Sequence, residues 1–256
     1  MGTNILELID VEKTFHNGKT SKTVLQHLNL SVRENEFVVL FGLAEAGKTV
    51  LLNLIAGLEP ATRGQILFDG RPVTGPGPER GVVYQNIALF PWLTVRKNVE
   101  FGPEVRHENR QERRLRAQHY IDMVGLQGFE ETYPVKLSGG MKQRVGIARA
   151  YCNNPRMILM DEPFGHLDAQ TRYMMEEQVE RICTSDKRTV IFVTNNVEEA
   201  VFLADRILLL AGRPSRIVKE YEIALPRPRS LISEDFLALR KEIADYMASV
   251  VNEYEQ

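Results

Sequence analysis

The sequence predicts an α/β fold with a mainly parallel core sheet, an antiparallel β subdomain and an inserted helical subdomain. Three observations carry that expectation. Short runs that are apolar at almost every position recur at 36–41 (EFVVLF), 156–160 (RMILM), 188–194 (RTVIFVT) and 206–211 (RILLLA), the pattern of strands buried on both faces. Helical periodicity fills several of the intervals between them, which places a ligand at the carboxyl ends of parallel strands. Between Asn86 and about Tyr151 strand signals thin out, and charged helical sequence such as HENRQERRLRAQHYIDMVGL takes over.

The elements follow in order. ILELIDV, TVLQHLNLSV and QILFDG read as antiparallel strands beside the core, with turns at Gly18 and Gly70. EFVVLF is the first core strand, and VLLNLIAGL after it is helical. In the helical lobe, Arg110, Arg113, Arg114 and Arg116 are interleaved with Glu108 and Glu112, which reads as a solvated helix face rather than a nucleic-acid patch. After Leu225 the segment PRPRS reads as a stiff linker, because proline fixes φ and removes a donor. Phe236, Leu239, Ile243, Met247, Val250 and Tyr254 then recur at helical spacing, an amphipathic helix that docks on the body or on a partner. The expected boundaries are a main domain over 1–225, with the lobe inserted at about 86–151, and a linker and helix over 226–256.

Composition excludes several classes. With 256 residues, 43% of them hydrophobic, the chain can bury a substantial core and is not disordered. A net charge of -2, from 32 basic and 34 acidic residues, leaves no bulk field to hold DNA or an anionic bilayer. Cys152 and Cys183 form no C-x-x-C pair, and they read as reduced, buried thiols. The N-terminus lacks the basic-then-apolar order of a signal peptide, and no apolar run approaches the roughly 18 residues of a membrane span. If the protein serves a membrane, it does so from the surface.

Chemistry concentrates in three motifs. Gly42 to Thr49, GLAEAGKT, satisfies G-x-x-x-x-G-K-[ST] and sits between an apolar strand and a helix, as a phosphate loop requires. Backbone amides of Gly42, Leu43, Ala44, Glu45, Ala46, Gly47, Lys48, Thr49 and Val50 are thus candidates for binding the phosphates of ATP. Lys48 would neutralise phosphate charge and Thr49 would hold Mg²⁺. The fold expected is that of a P-loop NTPase. RMILMDEP ends a strand in two carboxylates, Asp161 as a metal holder and Glu162 as the group that polarises an attacking water. The third motif is LSGGMKQR, from Leu137 to Arg144.

Together with Gln85 after GVVY and with Leu167-Asp168 beyond the carboxylate pair, LSGGMKQR resembles the signature of ABC-type ATPases, and the resemblance spans about Ile5 to Leu225. It implies a dimer in which Ser138, Gly139 and Gly140 contact the nucleotide of a second ABC subunit. Asp168 would help join the two subunits. It further implies that Gln85 senses Mg²⁺ and takes part in catalysis, and that Phe15 stacks on adenine. A strand-end core aromatic is the plainer reading of Phe15. Transmembrane permease subunits, and through them a solute-binding protein, are implied as partners at the cytoplasmic face of the membrane. The segment TGPGPERGVVYQNIALFPWLTVRKNVEFG is similar to importers of nitrate, alkylsulfonates and taurine. Trp92 stands either where that family meets its membrane subunits or in the core.

Two departures from the family bear on catalysis. Asn195 occupies the position of the switch histidine, and Glu45 stands where the family has glycine, with Ala44 replacing a serine beside it. An asparagine amide donates a hydrogen bond but carries no charge and relays no proton. All three positions serve the chain's own nucleotide, whereas the signature it offers a partner is intact. The sequence therefore admits the weakened subunit of a heterodimer and a slower homodimeric ATPase. A soluble, non-transport ABC ATPase and a nucleotide-binding partner that hydrolyses nothing are the alternatives from other classes.

Overall fold

The structure, a computed structural model, describes residues 4–254 apart from Lys19, Ile87 and His166. Two compact units emerge, one from residues 1–77 and 188–256, the other from residues 78–187.

The first unit is built on strands β1 (Asn4–Asn17), β2 (Thr20–Arg33), β3 (Phe37–Phe41), β4 (Arg63–Phe68), β5 (Arg71–Pro72), β8 (Thr189–Thr194), β9 (Arg206–Gly212) and β10 (Ser215–Glu222). They run in the order β5-β4-β1-β2-β10-β9-β3-β8. β3 lies parallel to both β8 and β9, and every residue of β3 and β8 is buried. That is what continuous Val, Phe and Leu runs predict, since a strand covered on both faces needs no polar alternation. β1 pairs antiparallel with β2 and β4, and β9 with β10. The β1–β2 ribbon is longer than its apolar signal, because bulges at positive-φ Asp10 and His27 carry the pairing past the break in alternation. Buried Glu36 anchors the start of β3 through Arg33 and through Arg206, whose Nε lies 2.9 Å from its carboxylate. Helices α1 (Lys48–Ala56), α6 (Val197–Leu203) and α7 (Glu234–Tyr254) complete the unit.

The PRPRS segment is not a spacer. Arg229 Nη1 donates to the Val201 and Phe202 carbonyls at 2.9 Å, and Arg227 pairs with Asp205 at 2.6 Å. These arginines satisfy the last carbonyls of α6, which have no partner within their own helix. The clamp sets α7 down on α6 and β9. Phe236, Ile243, Met247 and Val250 are buried there and Leu239 is half-buried; the side chain of Tyr254 lies outside the described residues. The amphipathic helix therefore docks on the body of its own chain.

The second unit joins the parallel pair β6 (Arg80–Val83) and β7 (Met157–Asp161) to α2 (Val95–Val105), α3 (Arg110–Met123), α4 (Gly139–Cys152) and α5 (Ala169–Ser185). Helices α2, α3 and α4 pack on one another around Val99, Ala117, Ile121 and Val145, all fully buried. The α3 arginines are not uniformly solvated. Arg113 turns to Glu104 at 2.8 Å and to buried Glu100, and Arg116 pairs with Glu108. A buried carboxylate demands a nearby cation, and only Arg110 and Arg114 keep to the exposed face. Cys152 is a buried free thiol, its pKa pushed up to about 11 by burial, while Cys183 is half-buried with its Sγ 3.5 Å from the Tyr151 hydroxyl.

Candidate functional site

In the first unit, β3 delivers Phe41 to the loop Gly42–Gly47, and α1 starts at Lys48. The loop is shaped from both sides. A Cβ on Gly42 would stand 2.6 Å from the Leu210 carbonyl oxygen of β9. One on Gly47, whose φ is +72°, would meet Leu25 at 2.8 Å and Val24 at 2.9 Å. Gly42 is therefore required by close approach to backbone, and Gly47 by its left-handed conformation. The buried Lys48 ammonium donates to the carbonyls of Gly42 at 2.9 Å and Leu43 at 2.8 Å, so the loop wraps around it. Leu43, Ala44 and Thr49 are exposed, Val50 is half-buried and Ala46 is buried.

Of the altered positions, Ala44 and Glu45 lie within this loop and Asn195 beside it. Glu45 has φ +68°, a left-handed conformation that costs a residue with a Cβ about 1 kcal/mol. Its carboxylate turns outward to Arg213, at 3.5 Å. Phe41 is the register partner of Thr194, which brings Asn195 alongside Gly42 at the carboxyl ends of neighbouring strands. Asn195 is exposed, and Asn196 caps α6 by accepting from the Glu198 amide at 2.9 Å. Thr194 donates its hydroxyl to buried Glu199, which fixes the bend that presents Asn195. Phe15, near the end of β1, is 39% exposed with the Lys13 ammonium 4.7 Å from its ring centroid, so the core reading of this aromatic is set aside.

The second unit carries the other motifs. β7 ends in Asp161, 7% exposed, and Glu162 follows with φ +41°. Such strain in a non-glycine residue concentrates at functional sites. The chain turns back there, Gly165 N donating to Glu162 O at 3.1 Å. Gln85 Nε2 comes within 3.0 Å of where a Gly165 Cβ would stand; this juxtaposes Gln85 with the turn that follows the carboxylate pair. Burial, then the charge of Asp161, raises the pKa of the Tyr84 hydroxyl beside them. Leu137 is buried, and Ser138 caps α4, its Oγ accepting from the Met141 amide at 3.2 Å, with Gly139 exposed next to it. A Cβ on Gly140 would meet Thr171 at 2.9 Å, which ties the start of α4 to the start of α5. Asp168 caps α5 there; hydrogen bonds from the Thr171 amide and hydroxyl hold its carboxyl below the usual range.

Trp92 is 69% exposed, its ring tilted against Phe90 at 5.6 Å between centroids, and Phe90 in turn contacts Phe101 at 4.3 Å. It is not a core residue. Sequence reasoning missed Arg149, whose Nη1 donates to the Ala88 carbonyl at 2.7 Å and so fastens the segment after Gln85 to α4. It also missed Arg213, which no motif marks.

An apolar parallel strand, a glycine loop and a buried lysine at the start of the next helix define the P-loop NTPase fold. Residues 25–165 match the model of the family described as ABC transporter, and the chain belongs to that family. Over 246 residues it is 47% identical to an uncharacterized ABC transporter ATP-binding protein of Methanocaldococcus jannaschii, covering 96% of this chain and 92% of that one. Over 221 residues it is 47% identical to a nitrate import ATP-binding protein of Synechocystis sp., covering 86% and 83% respectively. Among solved structures, an ATP-binding cassette in a dimeric post-hydrolysis state bound to ADP and Pi superposes with a TM-score of 0.75 at 31% identity, covering 86% of this chain and 100% of that one. Membership of this family implies an ATPase. Among the described residues no helix is long and apolar enough to cross a membrane.

Proposed function

We propose that this chain is the ATP-binding subunit of a membrane importer for a small anion of the nitrate class, and that its own nucleotide site is the slower one of a heterodimer. The observation that carries the second part is the location of the altered residues. Glu45 strains the phosphate loop and Asn195 stands beside it, while the capped start of α4 with its exposed Gly139 is intact. The import reading draws on the nitrate import relative.

The residues present fit MgATP. The loop is held open by glycines that admit no side chain, and a buried ammonium lies within it. An exposed threonine hydroxyl at a helix start, a strand-end carboxylate and a glutamine amide are hard oxygen donors of the kind Mg²⁺ takes. In the first unit Thr49, and in the second Asp161 and Gln85, are the proposed Mg²⁺ ligands, and the ion would supply charge neutralisation to phosphate oxygens. Lys48 and the amides of Gly42–Val50 bind phosphate, and Phe15 packs on the base. In the second unit Glu162 is the proposed group that orients and polarises the attacking water; in the first, Asn195 offers one neutral hydrogen bond where a histidine would add charge. Ser138, Gly139 and Gly140 present amides at the start of α4 to the nucleotide of a second ABC subunit.

Trp92, Phe90 and Phe101 form an aromatic platform suited to permease subunits, and a solute-binding protein would hand them the anion at the far side of the membrane. A large exposed aromatic marks such a contact. Trp92→Glu is therefore expected to reduce co-purification of integral membrane subunits about tenfold or more while leaving the melting temperature of the isolated chain unchanged. Recovery of ribosomes or DNA in place of membrane proteins with the tagged wild-type chain would defeat the transport reading.

A further inference from the structure

We propose that Arg213 is a positioning residue of the nucleotide site: it neutralises and holds outward the Glu45 carboxylate, without which this phosphate loop binds ATP more weakly. The inference rests on the reading of Gly42–Thr49 as a phosphate loop, and it names a determinant of that loop which no motif contains.

The geometry comes from three separate contacts. The loop is pressed at Gly42 against the Leu210 carbonyl of β9, three residues before Arg213 in the turn that follows the strand. At its other end Gly47 lies on Leu25, and Leu25 is the register partner of Ser215, two residues after Arg213. The turn between β9 and β10 is closed by the Ser215 hydroxyl donating to the Gly212 carbonyl at 2.9 Å, with Ser215 buried. One shoulder of the turn thus lies against one end of the loop, and the other reaches the far end through Leu25. From that turn the Arg213 guanidinium reaches Glu45 Oε2 at 3.5 Å.

The pair does not serve stability. The two side chains are 82% and 76% exposed, and exposed pairs contribute little to folding. Its consequence is electrostatic. A phosphate loop draws affinity from amides and a cation aimed at a polyanion, and a carboxylate on the loop subtracts from that field. Arg213 restores the local charge balance and keeps the carboxylate facing away.

A double-mutant cycle on the full-length chain tests this, reading the Kd of MgATP by calorimetry at low salt. Glu45→Gln removes the charge and leaves the backbone as it is. Arg213→Ala is expected to weaken binding about tenfold in the wild-type background and less than about twofold in Glu45→Gln. Arg213→Lys is expected to recover most of the loss, and the penalty is expected to shrink as salt rises. Melting temperatures stay constant throughout. An equal loss in both backgrounds, or none in the wild type, overturns the proposal while leaving the phosphate loop standing. Absence of ATP binding in the wild type and every variant overturns both.

Discussion

Lys48→Ala is expected to weaken MgATP binding by a factor of about 10²–10³, the scale of losing a preorganised donor in a shielded site. Lys48 is 5% exposed, and its ammonium donates to two carbonyls of its own loop. It is held in place before any nucleotide arrives, so little of the binding energy is lost in ordering a long side chain. Alanine removes both the charge and the hub around which the loop closes. Calorimetric titration with MgATP checks this, with circular dichroism to show that the sheet survives. Retention of affinity within about threefold would mean that the loop amides alone hold phosphate here.

Gly42→Ala is expected to lower the melting temperature by about 2–12 °C and to weaken nucleotide binding along with it. The added Cβ would lie 2.6 Å from the Leu210 carbonyl oxygen, a backbone atom of a fully buried strand residue. No side-chain rotation relieves that contact, so the loop or β9 must move. Overpacking of this kind costs about 1–3 kcal/mol, and in a chain of this size each kcal/mol is worth about 2–4 °C. The displaced element is the phosphate loop itself, so affinity falls with stability. Gly75→Ala is the control, since a Cβ there meets nothing and its backbone is not left-handed. A wild-type melting temperature for Gly42→Ala would show that β9 yields.

The core was legible because burial on both faces leaves a continuous apolar signature. EFVVLF and RTVIFVT became β3 and β8 within one residue at each end. The phosphate loop was legible because its glycines serve local geometry, and so was the cost at Glu45, whose φ proved positive. What escaped was set by tertiary contact. Arg227 and Arg229 look like the charges of a linker until the carbonyls of α6 appear beneath them. Arg113 and Arg116 look solvated until Glu100 and Glu108 are seen to need them. Phe15 and Trp92 allowed a core reading that only their exposure removes. Arg213 meets Glu45 across 168 residues of sequence, a separation over which a single chain gives no pattern to read.

The measurement that bears most directly on the account is steady-state ATP hydrolysis by the purified transporter containing this subunit. It compares wild type, Glu162→Gln, and Asn195→His combined with Glu45→Gly, the last with and without Glu162→Gln. Restoring the family residues is expected to raise turnover about tenfold or more. Glu162→Gln should change little in the unrestored transporter and abolish the gain in the restored one. If Glu162→Gln alone abolishes turnover and the restoration does nothing, asparagine suffices at this position, and the proposal of a weakened site is wrong.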